Sequence, residues 1–148
     1  MDVHRDFREL FESFNAHGVE YVIVGGYALA FHGAPRYTAD MDILVNPTPE
    51  NAHRVIDALE RFGFGTLDLS VEDFTRPERV VQLGRPPLRV DLLTCIDGVT
   101  WPEAWAGKVQ SEYGDVQVHF LGREEFLANK KAVGRHKDLA DLEALGES

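Results

Sequence analysis

The sequence predicts an α/β (α+β) domain in which helices flank a mixed β-sheet. Its 148 residues suit one hydrophobic core. Hydrophobic residues make up 44 % and charged residues 27 %, which is typical of globular proteins. Apolar runs of strand length alternate with segments of helical periodicity, and glycine and proline separate them. We place one domain over residues 1–148, with a core at about 19–121, an N-terminal helix at 3–17 and a short C-terminal helical pair at about 123–145.

Helix and strand patterns alternate through the first half of the chain. Asp2 can cap a first helix, and Gly18 suits the turn that ends it. The predicted apolar face of this helix is Val3, Phe7, Leu10, Phe11 and Phe14. A buried strand follows at 19–24, because β-branched and aromatic residues dominate it. A short helix is predicted from Tyr27 to His32.

A second strand, roughly Ala39 to Val45, leads into a helix that begins after Thr48-Pro49 and runs to about Phe62. Beyond it the pattern predicts short strands, a hairpin and two closing helices. The predicted strands are 66–69, 79–83, 88–94, 109–113 and 116–121, and the closing helices are 123–132 and 137–145. Leu139, Leu142 and Leu145 repeat at intervals of three and are predicted to face the core.

Composition and charge exclude several classes of protein. No apolar run approaches the ~20 residues of a membrane helix, and the N-terminal residues lack the pattern of a signal peptide. Cys95 stands alone, so no internal disulfide is expected, and we predict a cytoplasmic protein. With 25 acidic and 15 basic residues the net charge is −10, which argues against duplex DNA binding. The basic residues concentrated at 123–137 favour a small anion instead.

Two aspartates define a candidate metal site on the second strand. Side chains two positions apart on a strand share a face, so Asp40 and Asp42 lie on one side with their Cα atoms roughly 6–7 Å apart. Two carboxylates on one face repel each other unless a cation neutralises them, and Mg²⁺ prefers such oxygen ligands. An Asp-x-Asp pair on a solvated strand edge is the alternative.

A third carboxylate, Asp91, is the only charged residue from Val90 to Thr94. An ionised group in an apolar run needs a partner or a metal. If this strand lies beside the Asp40 strand, three carboxylates can hold two Mg²⁺ ions, an arrangement that recurs in phosphoryl and nucleotidyl transfer. An ordinary salt bridge of Asp91 with Arg89 or Arg85 remains open.

A glycine pair follows the first strand. Gly25-Gly26 stands where a strand meets a helix, which lets backbone N–H groups approach a phosphate. A tight turn is the simpler explanation of the same pair.

Together these motifs resemble the nucleotidyltransferase superfamily related to DNA polymerase beta. The resemblance is carried by Gly25-Gly26, by Arg36-x-Thr38-x-Asp40-x-Asp42 and by the later Asp91 in Val-Asp-Leu-Leu. It implies a single-domain nucleotidyltransferase fold and spans about 21–145. The closing segment at 129–141 is similar to that of the AbiEii-like branch, which includes toxins of toxin–antitoxin systems.

The resemblance also implies roles for individual residues. Asp40, Asp42 and Asp91 bind metal, two Mg²⁺ ions or Mn²⁺ in their place, and Asp91 also assists deprotonation of the attacking hydroxyl. The nucleotide-binding residues implied are Gly25, Gly26, Arg36, Thr38, Lys130, Arg135 and Lys137. The expected reaction moves a nucleoside monophosphate from a nucleoside triphosphate to a hydroxyl of RNA, protein or a small molecule. An antitoxin protein is an expected partner.

Two other functions stay open. The segment before Gly25-Gly26 could belong to a dinucleotide-binding domain, but the G-x-G-x-x-G pattern is missing and the three carboxylates would be unexplained. A catalytically silent module of the same fold could bind a nucleotide or another protein.

Overall fold

Six helices and six strands make up the parts of the chain that the computed structural model describes, residues 3–34, 39–61, 68–85 and 88–146. The helices are α1 (Arg5–Ala16), α2 (Gly25–Phe31), α3 (Pro49–Leu59), α4 (Trp101–Gly107), α5 (Arg123–Val133) and α6 (His136–Ala144). The strands are β1 (Tyr21–Val24), β2 (Asp40–Val45), β3 (Val80–Arg85), β4 (Leu88–Leu93), β5 (Val109–Tyr113) and β6 (Val116–Phe120). A 3₁₀ turn at Val71–Phe74 precedes β3.

The strands form one sheet in the order β3-β4-β2-β1-β6-β5. The pairs β2–β4 and β1–β6 are parallel, whereas β1–β2, β3–β4 and β5–β6 are antiparallel. The predicted α/β domain with a mixed sheet is therefore confirmed. Parallel pairing of β2 with β4 matters most for function, because it brings together two strands that are far apart in sequence.

The core lies on both sides of the central strands. Met41, Ile43 and Val45 of β2 are fully buried, as their alternation predicts. The inward face of α1 is Phe7, Leu10, Phe11 and Phe14. Val3, predicted on that face, is 47 % exposed because the helix begins only at Arg5. The predicted cap Asp2 lies outside the described residues.

The structure differs from the sequence-based prediction in the segment before β3 and in helix α6. Of the strand predicted at 66–69, residues 66 and 67 lie outside the described residues, and Asp68 and Leu69 have no strand geometry. The prediction that Leu139 faces the core is wrong, since it is 49 % exposed. The buried face of α6 consists of Asp138, Asp141 and Leu142, so a polar contact and not the leucine repeat sets the orientation of this helix.

Candidate active site

Strand pairing places the three predicted carboxylates on neighbouring strands. In the β2–β4 ladder Asp42 is the direct partner of Asp91, and Asp40 is the partner of Arg89. Since side chains two positions apart share a face, all four side chains lie on the same side of the sheet. The carboxyl of Asp42, when protonated, can donate a hydrogen bond to that of Asp91.

The environment of Asp42 disfavours its negative charge. Burial is the main cause that raises the pKa of this carboxyl, to about 7, and the charges of Asp91 and Asp40 and the hydrogen bond to Asp91 raise it further. Lys137 acts in the opposite direction, so its ammonium group is within electrostatic reach of Asp42. A carboxyl of this kind gains from a cation nearby.

Gly25 lies directly against the Asp42 carboxyl. Its φ of 68° is in the left-handed region, and a Cβ built at this position would collide with Oδ2 of Asp42. The first glycine of the predicted pair is thus required by both its backbone conformation and its contact with the carboxylate. Gly26, the second, follows it in the first turn of α2.

Arg89 is a site residue to which the sequence reasoning gave no functional role. Its Nη2 lies 3.1 Å from Oδ2 of Asp40 and 3.5 Å from Oδ2 of Asp91, and its Nε lies 3.2 Å from Oδ1 of Asp91. One guanidinium therefore bridges carboxylates on both strands. The signal in the sequence is the Arg-x-Asp spacing, which puts Arg89 and Asp91 on one face.

The predicted phosphate ligands of the closing helices have different surroundings. Lys130 is buried between α5 and α6, with its Nζ 3.2 Å from Asp138 and 3.1 Å from Asp141. The Nε of Arg135 lies 2.7 Å from Asp138, whose carboxylate also accepts a hydrogen bond from the backbone N–H of Arg135 at the start of α6. These contacts join the two helices. Lys137, on the exposed side of α6, is the member of the set that acts on Asp42.

Arg36 and Thr38, the remaining predicted nucleotide-binding residues, lie outside the described residues.

The oxygen donors of the site fit a hard divalent cation. In the described parts of the chain, no group of three or more Asp, Glu, His or Cys side chains stands ready to ligate a metal, and Asp40 is turned to Arg89. Oδ1 of Asp91 is nevertheless buried, and although it lies 3.2 Å from Nε of Arg89 it has no hydrogen-bond partner among the described residues. Together with the half-buried Asp42 carboxyl it offers the carboxylate oxygens that Mg²⁺ takes from proteins.

The chain belongs to a family of nucleotidyltransferases. Residues 3–148 match the family described as "Nucleotidyl transferase of unknown function (DUF2204)". Membership supports the predicted superfamily and a nucleoside triphosphate as substrate. No curated protein sequence matches the chain.

Solved structures of nucleotidyltransferases share the fold. A candidate nucleotidyltransferase from Thermotoga maritima superposes with a TM-score of 0.63 at 17 % identity, covering 94 % of this chain and 89 % of that one. The lincosamide antibiotic adenylyltransferase LnuA, with lincomycin bound, has a TM-score of 0.57 at 13 % identity and covers 99 % and 98 %. An antigenic nucleotidyltransferase-like protein from Paracoccidioides brasiliensis has a TM-score of 0.56 at 20 % identity and covers 94 % and 72 %.

Within the described residues, every helix is too short or too polar to cross a membrane.

Proposed function

We propose that this protein is a metal-dependent nucleotidyltransferase that moves a nucleoside monophosphate from a nucleoside triphosphate to an acceptor hydroxyl and releases pyrophosphate. The observation that carries the proposal is the pairing of Asp42 with Asp91 across parallel strands, with Asp40 on the same face. Family membership gives this carboxylate cluster its chemistry.

Each carboxylate has a part in this proposal. Asp40, Asp42 and Asp91 hold Mg²⁺, one ion or two, with Mn²⁺ as a substitute. The metal would supply positive charge to the triphosphate and its leaving group. Asp91, whose Oδ1 is free of hydrogen bonds from the described residues, is placed to accept the proton of the attacking hydroxyl.

The remaining roles concern the triphosphate. Gly25 and Gly26 let it approach the end of β1 beside Asp42, and Arg36 and Thr38 belong to the same motif. Lys137 gives a positive charge at the site to offset charge on the leaving pyrophosphate. Lys130 and Arg135 were predicted to bind the nucleotide directly. In our proposal they bind carboxylates of α6 instead, and these contacts hold α6, and therefore Lys137, in place.

The identity of the acceptor distinguishes one kind of nucleotidyltransferase from another. LnuA is an adenylyltransferase of a lincosamide antibiotic, and this chain aligns over nearly its full length, so hydroxylated small molecules are the first acceptors to test. RNA and protein acceptors, the AbiEii-like toxin role and an antitoxin partner stay predictions of the sequence.

The decisive experiment combines purified protein with labelled nucleoside triphosphates, Mg²⁺ and pools of small molecules, cellular RNA and protein. We expect pyrophosphate release that stops on chelation, with the label transferred to one acceptor pool. Asp42→Asn and Asp91→Asn should each reduce the rate by at least about 100-fold while Asp57→Asn, an exposed carboxyl on α3, keeps it. Nucleotide binding without transfer in any pool would identify the silent module instead.

Lys137 can be tested separately from the fold. Lys137→Ala should weaken triphosphate binding or slow transfer by about tenfold, which corresponds to ~1.4 kcal/mol. Lys131→Ala is the matched control, an exposed lysine in the last turn of α5. Equal activity of both variants would remove Lys137 from the site.

A further inference from the structure

Arg89 is arranged as a counter-ion of the carboxylate cluster. It lies opposite Asp40 in the ladder and two positions before Asp91, so it can contact a carboxylate on each strand. Its guanidinium does so at 3.1 Å to Asp40 and 3.2 Å to Asp91. Arginine keeps its charge at every accessible pH, which makes this a permanent positive charge among three acidic side chains.

A divalent ion needs the same oxygens. Mg²⁺ binds carboxylate oxygens at 2.0–2.1 Å and demands near-octahedral geometry. A guanidinium that holds Oδ2 of Asp40 and faces Oδ1 of Asp91 occupies the space around these oxygens and repels the incoming charge. The side chain of Arg89 is 36 % exposed, so it has a path towards solvent.

We propose that Arg89 is a resident counter-ion that competes with the metal: it holds Asp40 and Asp91 together in the metal-free protein and leaves them when a divalent cation binds. The inference rests on the metal-dependent function proposed above. Its consequence is that Arg89 stabilises the metal-free fold while it weakens metal affinity.

Removing the charge of Arg89 should therefore lower the stability of the metal-free protein and raise its affinity for the metal. Removing an arginine with only a structural role would lower stability without raising metal affinity. Arg89→Gln removes the charge but keeps a polar side chain of similar reach. Without metal, in EDTA, this variant should melt at a lower temperature than wild type, because repulsion among the carboxylates is no longer offset. In a calorimetric titration with Mn²⁺ alone, it should bind at least about fivefold more tightly than wild type.

Arg79→Gln is the matched control. Arg79 precedes β3, lies outside the cluster and pairs with Asp73 at 2.7 Å. The control variant therefore also loses an arginine–aspartate pair. Its Mn²⁺ affinity should equal that of wild type. Mn²⁺ binding by Arg89→Gln that is equal to or weaker than wild type would overturn the inference and leave the metal site standing. Absence of Mn²⁺ binding in wild type, Arg89→Gln and Arg79→Gln alike would overturn the proposed function as well.

A measurement on the wild-type protein does not depend on the variant folding. Phenylglyoxal modifies accessible guanidinium groups, and peptide mass spectrometry reports the rate at each arginine. Mn²⁺ should accelerate modification of Arg89 relative to EDTA and leave the rate at Arg79 unchanged. An Arg89 rate that is unchanged or reduced by Mn²⁺ means that the guanidinium stays on the carboxylates, and the inference fails.

Discussion

The negative charge of Asp42 lowers the stability of the folded, metal-free protein. Its pKa in the folded protein is raised to about 7, mainly by burial, above the value of a free aspartate. The folded state therefore holds a proton that the unfolded state loses between about pH 4 and pH 7. Stability of the metal-free protein should fall as the pH rises through this window, and the full cost is present above it.

Asp42→Asn removes this cost. In EDTA at pH 8 the variant should be more stable than wild type by up to about 4 kcal/mol, a rise of up to about 8–16 °C in Tm. It should also lack the loss of stability between pH 4 and pH 7, and its transfer activity should disappear. Thermal unfolding followed by circular dichroism across this pH range checks the result. A lower Tm in EDTA would identify Asp42 as a structural residue.

Gly25 provides a second prediction at the scale of a single residue. Gly25→Ala combines a left-handed φ with a collision against Asp42, whereas Gly18 has nearly the same φ of 69° and nothing within 4 Å of an added Cβ. Gly18→Ala should therefore cost about 1 kcal/mol from backbone strain alone. Gly25→Ala should cost at least ~1 kcal/mol more. Urea unfolding of both variants measures the difference, and equal losses would mean that the collision relaxes freely.

At the scale of an element, buried ion pairs join α6 to α5, and they lie beside Leu142, the buried leucine of this helix. Lys130 contacts both Asp138 and Asp141, and all three side chains are at least nine-tenths buried. Arg135 adds its guanidinium to Asp138. Removing one partner from such a cluster leaves an uncompensated charge, which is more costly than losing a surface pair.

The pH dependence of this cluster is opposite in sign to that of Asp42. Hydrogen bonding from Arg135, then from Lys130, lowers the pKa of Asp138 to about 2. The pair therefore stabilises the fold above about pH 4, and the contribution is lost as the pH falls towards 2. Asp138→Asn should lose about 3–5 kcal/mol at neutral pH. The difference from wild type should shrink by about 2 kcal/mol as the pH falls to 2.

Asp115→Asn is the control for this element. Asp115 pairs with Arg8 at 2.6 Å on the surface, and its side chain is 74 % exposed. Exposed pairs contribute little, so chemical unfolding at neutral pH should hardly distinguish this variant from wild type. A small effect of Asp138→Asn, similar to that of Asp115→Asn, would show that α6 is held by other contacts.

For the whole molecule, the net charge of −10 predicts that the protein does not bind duplex DNA. Neutralising duplex phosphates requires a basic face, and the basic residues of α5 and α6 are partly engaged with Asp138 and Asp141. Fluorescence anisotropy with a labelled duplex at about 0.15 M salt should show no saturable binding at ~10 µM protein. Micromolar binding that weakens steeply with salt would contradict this.

The sequence by itself determined the local features of the protein. Alternation on β2 predicted the buried Met41 and Ile43 and put Asp40 and Asp42 on the other face. Glycine and proline marked the ends of elements, and the motif around the carboxylates predicted the superfamily. Such features follow from residue spacing and backbone preference, which act over a few positions and can be read along the chain.

Only the tertiary structure decided which residues meet. Arg89 and Asp40 are 49 positions apart, and no local pattern specifies that β2 and β4 pair in this register. The partners of Lys130 are also decided by the tertiary structure. Its ammonium group contacts two buried carboxylates of α6, and Leu139 of the same helix is exposed to solvent. Long-range pairing depends on the balance between burial over the whole core and the entropy of closing the loops between elements. Spacing along the sequence therefore predicted the carboxylates, and the fold determined their partners.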